Sequence, residues 1–413
     1  MTTRIQAFFV LFAVSAMTLL TGCSSAYKCT FGFGASSCTS TGPINPGQGG
    51  GTAPLVSAYY VATNPNEVSA AELSTTNTLE LIPNFADPLL PGTTGAGSAM
   101  AIAQSKFVYV TYPSTPGLYA WSISSTTAGL TALNGSPFAA SFTAGMPIAS
   151  VPVYSMITNP TGTLLFVADQ LDQQIDVFSI DPSTGLLTAV QGSPFAALVS
   201  PSNLATDGLG RFLYVNQGDV NGQGEQMAVF TIDATTGTLS AGTTMPLINM
   251  WQVQGDPTGQ FMVGADGEVG TKPPLQALDD TLHVFSINQT TGVLTQVSTV
   301  VTTNAPTTVQ FHPSGKWVYS FGIQTALNFD APVEGFSFNS TTGTLTKLSG
   351  SPFTIFGTDP YDGFLDQSGK YMFVHSSNVF ETATVDLTTG IPTIVSIPLQ
   401  VSSNLGWAVT DPQ

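Results

Sequence analysis

The chain has 413 residues, of which 42% are hydrophobic and only 8% charged, and its formal net charge is −17. Average soluble domains carry about 25% charged residues, so Ser, Thr and Gly must supply most of this surface. Arg4 and Arg211 are the only arginines, which leaves no basic patch to neutralise phosphates and excludes nucleic acid as a partner.

Residues 1–22 read as a targeting segment rather than as fold. Arg4 supplies positive charge, and residues 5–20 are apolar apart from Gln6, Ser15 and Thr18. That run is shorter than the ~20 residues of a membrane span. The following Leu20-Thr21-Gly22-Cys23 resembles the lipobox of bacterial lipoproteins. The resemblance implies cleavage before Cys23 and acylation there, so that the N-terminal lipid anchors the chain to a membrane. An ordinary signal peptide followed by a coincidental cysteine is the alternative. Ser24 stands where some lipoproteins held at the inner membrane carry Asp. The expected address is therefore the cell envelope, at the outer membrane, periplasmic or surface-facing.

Residues 23–54 are rich in Ser, Gly and Pro and cannot bury enough apolar surface to fold alone, so they read as a flexible tether. Cys29 and Cys38 are the thiols left after lipidation, and an oxidising compartment would join them in a disulfide.

Residues 55–413 are a repeat array. The stretch 175–195, IDVFSIDPSTGLLTAVQGSPF, shows one unit: an apolar β-branched strand, an Asp-Pro-Ser-Thr-Gly turn, a returning strand and a GSPF linker. Its turn glycine recurs as Gly129, Gly185, Gly237, Gly292, Gly343 and Gly390, about 47 to 56 residues apart, a little longer than a four-stranded blade period. A second hairpin signal alternates with it, as in TNPTGTLLFVAD at 158–169 and FHPSGKWVYSFG at 311–322. Each unit thus has four strands, named a to d here. A tight turn follows a, a variable loop follows b, the TTG turn follows c, and a linker follows d. Residues 57–83 read as strands b, c and d of a unit whose strand a is supplied by residues 404–410. The expected fold is an all-β, seven-bladed β-propeller of four-stranded antiparallel blades, closed by a blade shared between the two termini. An eight-bladed or incomplete ring is the alternative.

The combination of FHPSGKWVY, VFSIDPSTGLLT-like hairpins and GSPF linkers resembles the lactonase-like, or YncE-like, seven-bladed propellers, which include cycloisomerase-type 6-phosphogluconolactonases. In the phosphogluconolactonase-like members the strand ending F-H-P-x-G-K is entered by G-P-R-H, and the next strand exits into N-E. Here Ala305-Pro306-Thr307-Thr308 and Phe321-Gly322 stand at those positions. No catalytic residue is carried over, because a phosphorylated sugar acid needs cations in its pocket.

Function in such rings is expected on the face of the b-to-c loops. Positions just after strand b, Thr111, Asp169, Asn216, Asp266, Phe321 and His375, are expected to converge on the central channel. The loops at 217–226, 267–280 and 322–333 are long, and long loops on a rigid scaffold are where binding resides. The candidate ligand-binding residues are Asp169, Asn216, Asp266, Glu268, Asp330 and His375. His312 is assigned to turn capping and His283 to the surface of strand c. No cofactor is expected, although the acidic loops leave calcium possible. The main functional expectation is a noncatalytic binding module for a protein, peptide or glycan partner. The alternative is a lactone hydrolase with a diverged site.

Overall fold

The computed structural model describes residues 27–30, 37–40, 55–63, 67–74, 79–81, 99–139, 153–217, 226–246, 250–266, 280–323, 332–356, 360–376, 379–395, 399–400 and 406–410, with short breaks at 113–114, 126–128, 171, 241, 251, 304 and 355. It divides into two units, residues 1–50 and 51–413. In the first, Tyr27–Thr30 and Ser37–Ser40 form an antiparallel hairpin whose backbone register sets Cys29 opposite Cys38.

The second unit is an all-β propeller of antiparallel blades. Seven sheets of four or five strands follow one another; in six of them strands a to d lie in chain order, and in the other strand a comes from the end of the chain. We number them from the sheet that contains both ends of the unit, where Gly406–Thr410 pairs with Leu55–Thr63, followed by Glu67–Ser74 and Leu79–Leu81. Blade two begins at Ala99, three at Val153, four at Asn203, five at Gln252, six at Ala305 and seven at Pro360. The innermost strands touch in cyclic order, that of blade seven meeting Gly406–Thr410 and that strand meeting Ala99–Ala103.

The apolar pattern explains why the sheets stand as blades. Strand b, second from the axis, has a neighbouring blade on each face, so Leu164–Asp169 and Phe212–Gln217 are buried at every position. Strand d forms the outer edge, and Leu294–Val301 alternates between half-buried and exposed. The core accordingly lies in the seams between blades. Phe166, Ile175 and Val177 of blade three pack with Leu204, Val215 and Phe230 of blade four.

The a-to-b and c-to-d turns sew those seams shut. In the c-to-d turns a carboxylate or amide caps the backbone: Asp181 Oδ1 accepts from the N–H groups of Ser183 and Thr184, and Asn288 and Asp386 do the same in blades five and seven. The turn glycine has a second task. Gly390 sits at φ 74°, and a Cβ there would lie 2.7 Å from the Trp317 ring of blade six. The same blade pairs are tied by hydroxyls: Tyr109, Tyr214 and Tyr319 donate to the carbonyls of Gly185, Gly292 and Gly390. His312 caps its own turn as expected, through Ser314, and its Nε2 also reaches the Gly369 carbonyl of the next blade at 3.0 Å.

Two expectations need correction. His283 is buried rather than on the surface, 6% exposed and stacked on Phe285. Gly264 lies opposite it on strand b, where a Cβ would meet Met250 Sδ at 2.2 Å. The GSPF segments are more than linkers. Ser136, Ser193 and Ser351 each accept the N–H of a strand-c residue, and Phe138, Phe195 and Phe353 pair back onto strand c.

Candidate active site at the loop end

Each strand a starts, and each strand b ends, at the loop end of the ring, so the register shows which residues share that end. Ala99 pairs with Thr111, Val153 with Asp169, Asn203 with Asn216, Thr308 with Phe321 and Asp362 with His375. Asp266 ends strand b of blade five, one residue beyond the Gln252–Ala265 pair.

The strand-b residues do not all turn toward the axis. Asn216 is 2% exposed and its Nδ2 donates to the Met250 carbonyl, in the segment leading into blade five. Phe321 is 1% exposed and lies over Gly363 of blade seven, where a Cβ would approach its ring to 2.1 Å. Strand b is second from the axis, and its side chains alternate between the two seams of its blade. The channel itself belongs to strand a. Phe321 therefore contributes nothing to an exposed aromatic patch.

The side chains of Asp266 and His375, and all of Glu268, Asp330, Cys23 and most of the long loops, lie outside the described residues. Of Cys29 and Cys38 only the backbone is described. Among the described residues no group of three His, Cys, Asp or Glu side chains is placed to hold a metal ion.

Two carboxyls at this end are held far from their ordinary range. Asp169 is fully buried, and burial pushes it up to about 6. The Asp172 N–H at 3.1 Å pulls it back, while the charges of Asp172 and Asp176 add to the rise. Asp362 goes further, to about 7, again through burial. The Gly363 N–H donates to its Oδ1 at 2.9 Å and pulls the other way, as does the nearby Thr308 side chain. The Thr308 hydroxyl is buried and makes no well-formed hydrogen bond of its own. It stands on the adjoining inner strand, so carboxyl and hydroxyl meet near the loop-end starts of the inner strands of blades six and seven.

Asp362 was not among the residues singled out from the sequence. A signal for it existed: the repeat places it where blade four has Asn203 and blade six has Thr308, and a carboxylate stands out there.

The described cations cluster at the other end. Among the described residues Lys106, Arg211, Lys316 and Lys370 all lie in a-to-b turns, at the opposite end. Lys347 is held by Glu334 at 2.8 Å. No described cation is left at the loop end to receive a phosphate. A carboxyl near neutrality can accept a proton from water at physiological pH, and a neutral electrophile is the chemistry it suits.

Comparison with known proteins agrees with the architecture. Residues 227–356 match the family model described as lactonase, seven-bladed β-propeller. No functionally curated protein matches the chain. Among solved structures, a provisionally named 6-phosphogluconolactonase from Bacteroides fragilis is similar at 18% identity and a TM-score of 0.61, over 86% of this chain and 98% of its own. The periplasmic gluconolactonase of Pseudomonas aeruginosa is similar at 13% identity and the same TM-score, over 86% of this chain and 99% of its own. A functionally unknown protein from Desulfotomaculum acetoxidans is similar at 16% identity and a TM-score of 0.58, over 87% and 100%. At these identities the likeness speaks for the fold.

Proposed function

From a chain that carries a lactonase-type propeller segment, we propose a lactone hydrolase acting on an unphosphorylated sugar lactone, with Asp362 as its general base. The ring in this proposal has seven blades, and the pairing of Gly406–Thr410 with Leu55–Thr63 supports its closure by a shared blade. The observation that carries the proposal is the Asp362 carboxyl, pushed up to about 7 at the head of an inner strand and beside the Thr308 hydroxyl.

In this scheme the ionised carboxylate takes a proton from water, and the resulting hydroxide equivalent adds to the lactone carbonyl. The ring C–O bond then breaks, and the proton returns from Asp362 to the departing alkoxide, leaving a hydroxy acid. Burial keeps Asp362 basic enough for the first transfer and acidic enough for the second. The acidic balance of the chain, eight Lys and Arg against 25 Asp and Glu, favours neutral lactones over phosphorylated ones.

Noncatalytic binding of a protein, peptide or glycan is less well supported. The family match is to lactonases, and Phe321, the aromatic expected at that face, is buried. The lipobox adds an address to the proposal: a lipid on Cys23 would hold the enzyme at the cell envelope. Loss of labelled palmitate from a Cys23→Ser variant would check this.

The decisive assay follows proton release from D-glucono-δ-lactone above its spontaneous hydrolysis. The full-length protein should turn over the lactone, and Asp362→Asn should lower kcat/KM by about 10²–10⁴, the usual contribution of a general base. Equal turnover by the variant and the parent would sink the proposal.

A further inference from the structure

The opposite end of the channel holds a cavity that the proposed hydrolysis does not use. It measures about 330 Å³ and is bordered by Gln104, Thr158, Thr206, Gln254 and Gln367, from blades two, three, four, five and seven. These side chains are carboxamides and hydroxyls, which both donate and accept hydrogen bonds; Gln254 is held by Gln310 and the Phe311 N–H, and the Thr158 hydroxyl donates to the Ile102 carbonyl. The acid at the rim, Asp207, is already committed: its Oδ2 pairs with Arg211 Nε at 2.9 Å and its Oδ1 accepts the N–H groups of Arg211 and Phe212. The lining is thus polar without an uncompensated charge.

A break in the repeat borders this cavity. The a-to-b turns at 159–163, 207–211, 256–260, 312–316 and 366–370 each have five residues, but that of blade two has three, 104–106. The short turn brings strain. Gln104 and Ser105 both sit at φ 53°, closed by a 2.9 Å hydrogen bond from the Lys106 N–H to the Ala103 carbonyl. Neither is a residue that adopts the left-handed region readily, and Asn-Gly would form such a turn without cost.

Blades three and seven hold the strained turn in place. Gln104 Nε2 donates to the Gly162 carbonyl at 3.3 Å, and a Cβ on Gly162 would lie 2.8 Å from Gln104 Cγ. Gln367 Nε2 donates to Ser105 Oγ at 2.8 Å. Each carboxamide has spent one N–H in this way and has a further N–H and an oxygen to offer. Strain that neighbouring structure maintains at a cavity is a mark of a functional site.

We propose that this cavity is a second ligand site, separate from the loop end, for a neutral polyhydroxylated molecule of monosaccharide size. A cluster of uncharged donors and acceptors satisfies vicinal hydroxyls, whereas an anion would find no cation and a cation no free carboxylate. Occupancy would draw together the turns of blades two, three, five and seven from the far end of the channel.

The test titrates the full-length protein with D-glucose, followed by saturation-transfer NMR, with D-gluconate as the charged comparison. Glucose is expected to bind saturably and gluconate more weakly. Gln104→Gly removes the carboxamide and relieves the left-handed strain, so Tm should hold or rise while glucose binding weakens about tenfold, the scale of a lost hydrogen-bonding group. Gln367→Leu should weaken binding similarly. Asp362→Asn should leave glucose binding unchanged, which separates this site from the lactone site whatever its effect on turnover. Absence of saturable glucose binding, indifference to Gln104→Gly and Gln367→Leu, or loss of binding in Asp362→Asn would each overturn the proposal.

Discussion

The two ends of the propeller are built from the same strands and solve different problems. At the turn end every described blade after the second repeats one device: a short Gly turn, an Asp, Asn or His cap, and a contact across the seam such as Tyr319 to Gly390 or His312 to Gly369. The described Lys and Arg residues outside the edge strand gather there, with Arg211, Lys316 and Lys370 lying over the rings of Phe212, Trp317 and Tyr371. At the loop end the equivalent inner-strand positions differ from blade to blade, holding Ala99, Val153, Asn203, Thr308 and Asp362. A position that every blade needs for closure is held to one chemistry, whereas a position outside the stitching can carry a carboxyl at some cost to stability.

That cost gives the first and largest way to sharpen the contrast. Asp362→Asn is expected to lose lactone turnover and yet to stabilise the fold at alkaline pH. The folded pKa, about 7, lies above the ordinary 3.8, so the folded state holds more protons than the unfolded one between these values. Its stability is greatest below pH 4 and falls as pH rises through 7. The Asn variant should therefore gain about 1–2 kcal/mol over the parent at pH 8, after solvent relaxation, and nothing at pH 4. The same ionisation sets activity, and kcat/KM of the parent should rise with pH up to about 7. A flat profile from pH 5 to 8 would remove Asp362 from the chemistry.

Breaking the turn end should affect folding and leave chemistry alone. Gly390→Ala must hold Ala at φ 74° and force its Cβ against Trp317 at 2.7 Å, for which about 2–4 kcal/mol of destabilisation is expected in urea titrations. Tyr319→Phe removes the hydroxyl bonded to the Gly390 carbonyl at 2.6 Å and should cost about 1 kcal/mol, with kcat unchanged. The smallest effect belongs to Asp181→Asn. This exposed carboxylate is held down to about 2, first by the Ser183 hydroxyl and then by the Thr184 and Ser183 N–H groups. Its contribution is present above pH 4 and lost as pH falls through 2, and Asn keeps the cap, as Asn288 does in blade five. A loss of turnover in any turn-end variant that remains folded would mean that the two ends are coupled.

Much of this was legible beforehand. The four-strand unit, the two kinds of turn and the tie between the ends of the repeat array follow from local patterns: β-branched runs, Asp-x-Thr-Thr-Gly turns and a strand at each end lacking partners. The caps at Asp181 and His312 were readable for the same reason, since each acts within a few residues of itself. The site was less legible. Asp169 and Asn216, expected just after strand b, are its last and penultimate residues, and the burial of Asn216 and Phe321 depends on the blade that lies across the seam, a partner remote in sequence.

Sequence by itself determined the class of fold, the period and the acidic, cation-poor character, because these depend on composition and on neighbours along the chain. Tertiary structure alone decided that His283 is buried, that burial raises Asp362 above the ordinary carboxyl range, and that the three-residue turn at 104–106 borders a polar cavity. Desolvation and cavity shape arise from the packing of blades far apart in the chain, and in a ring the nearest neighbours of an inner strand are those one full repeat away.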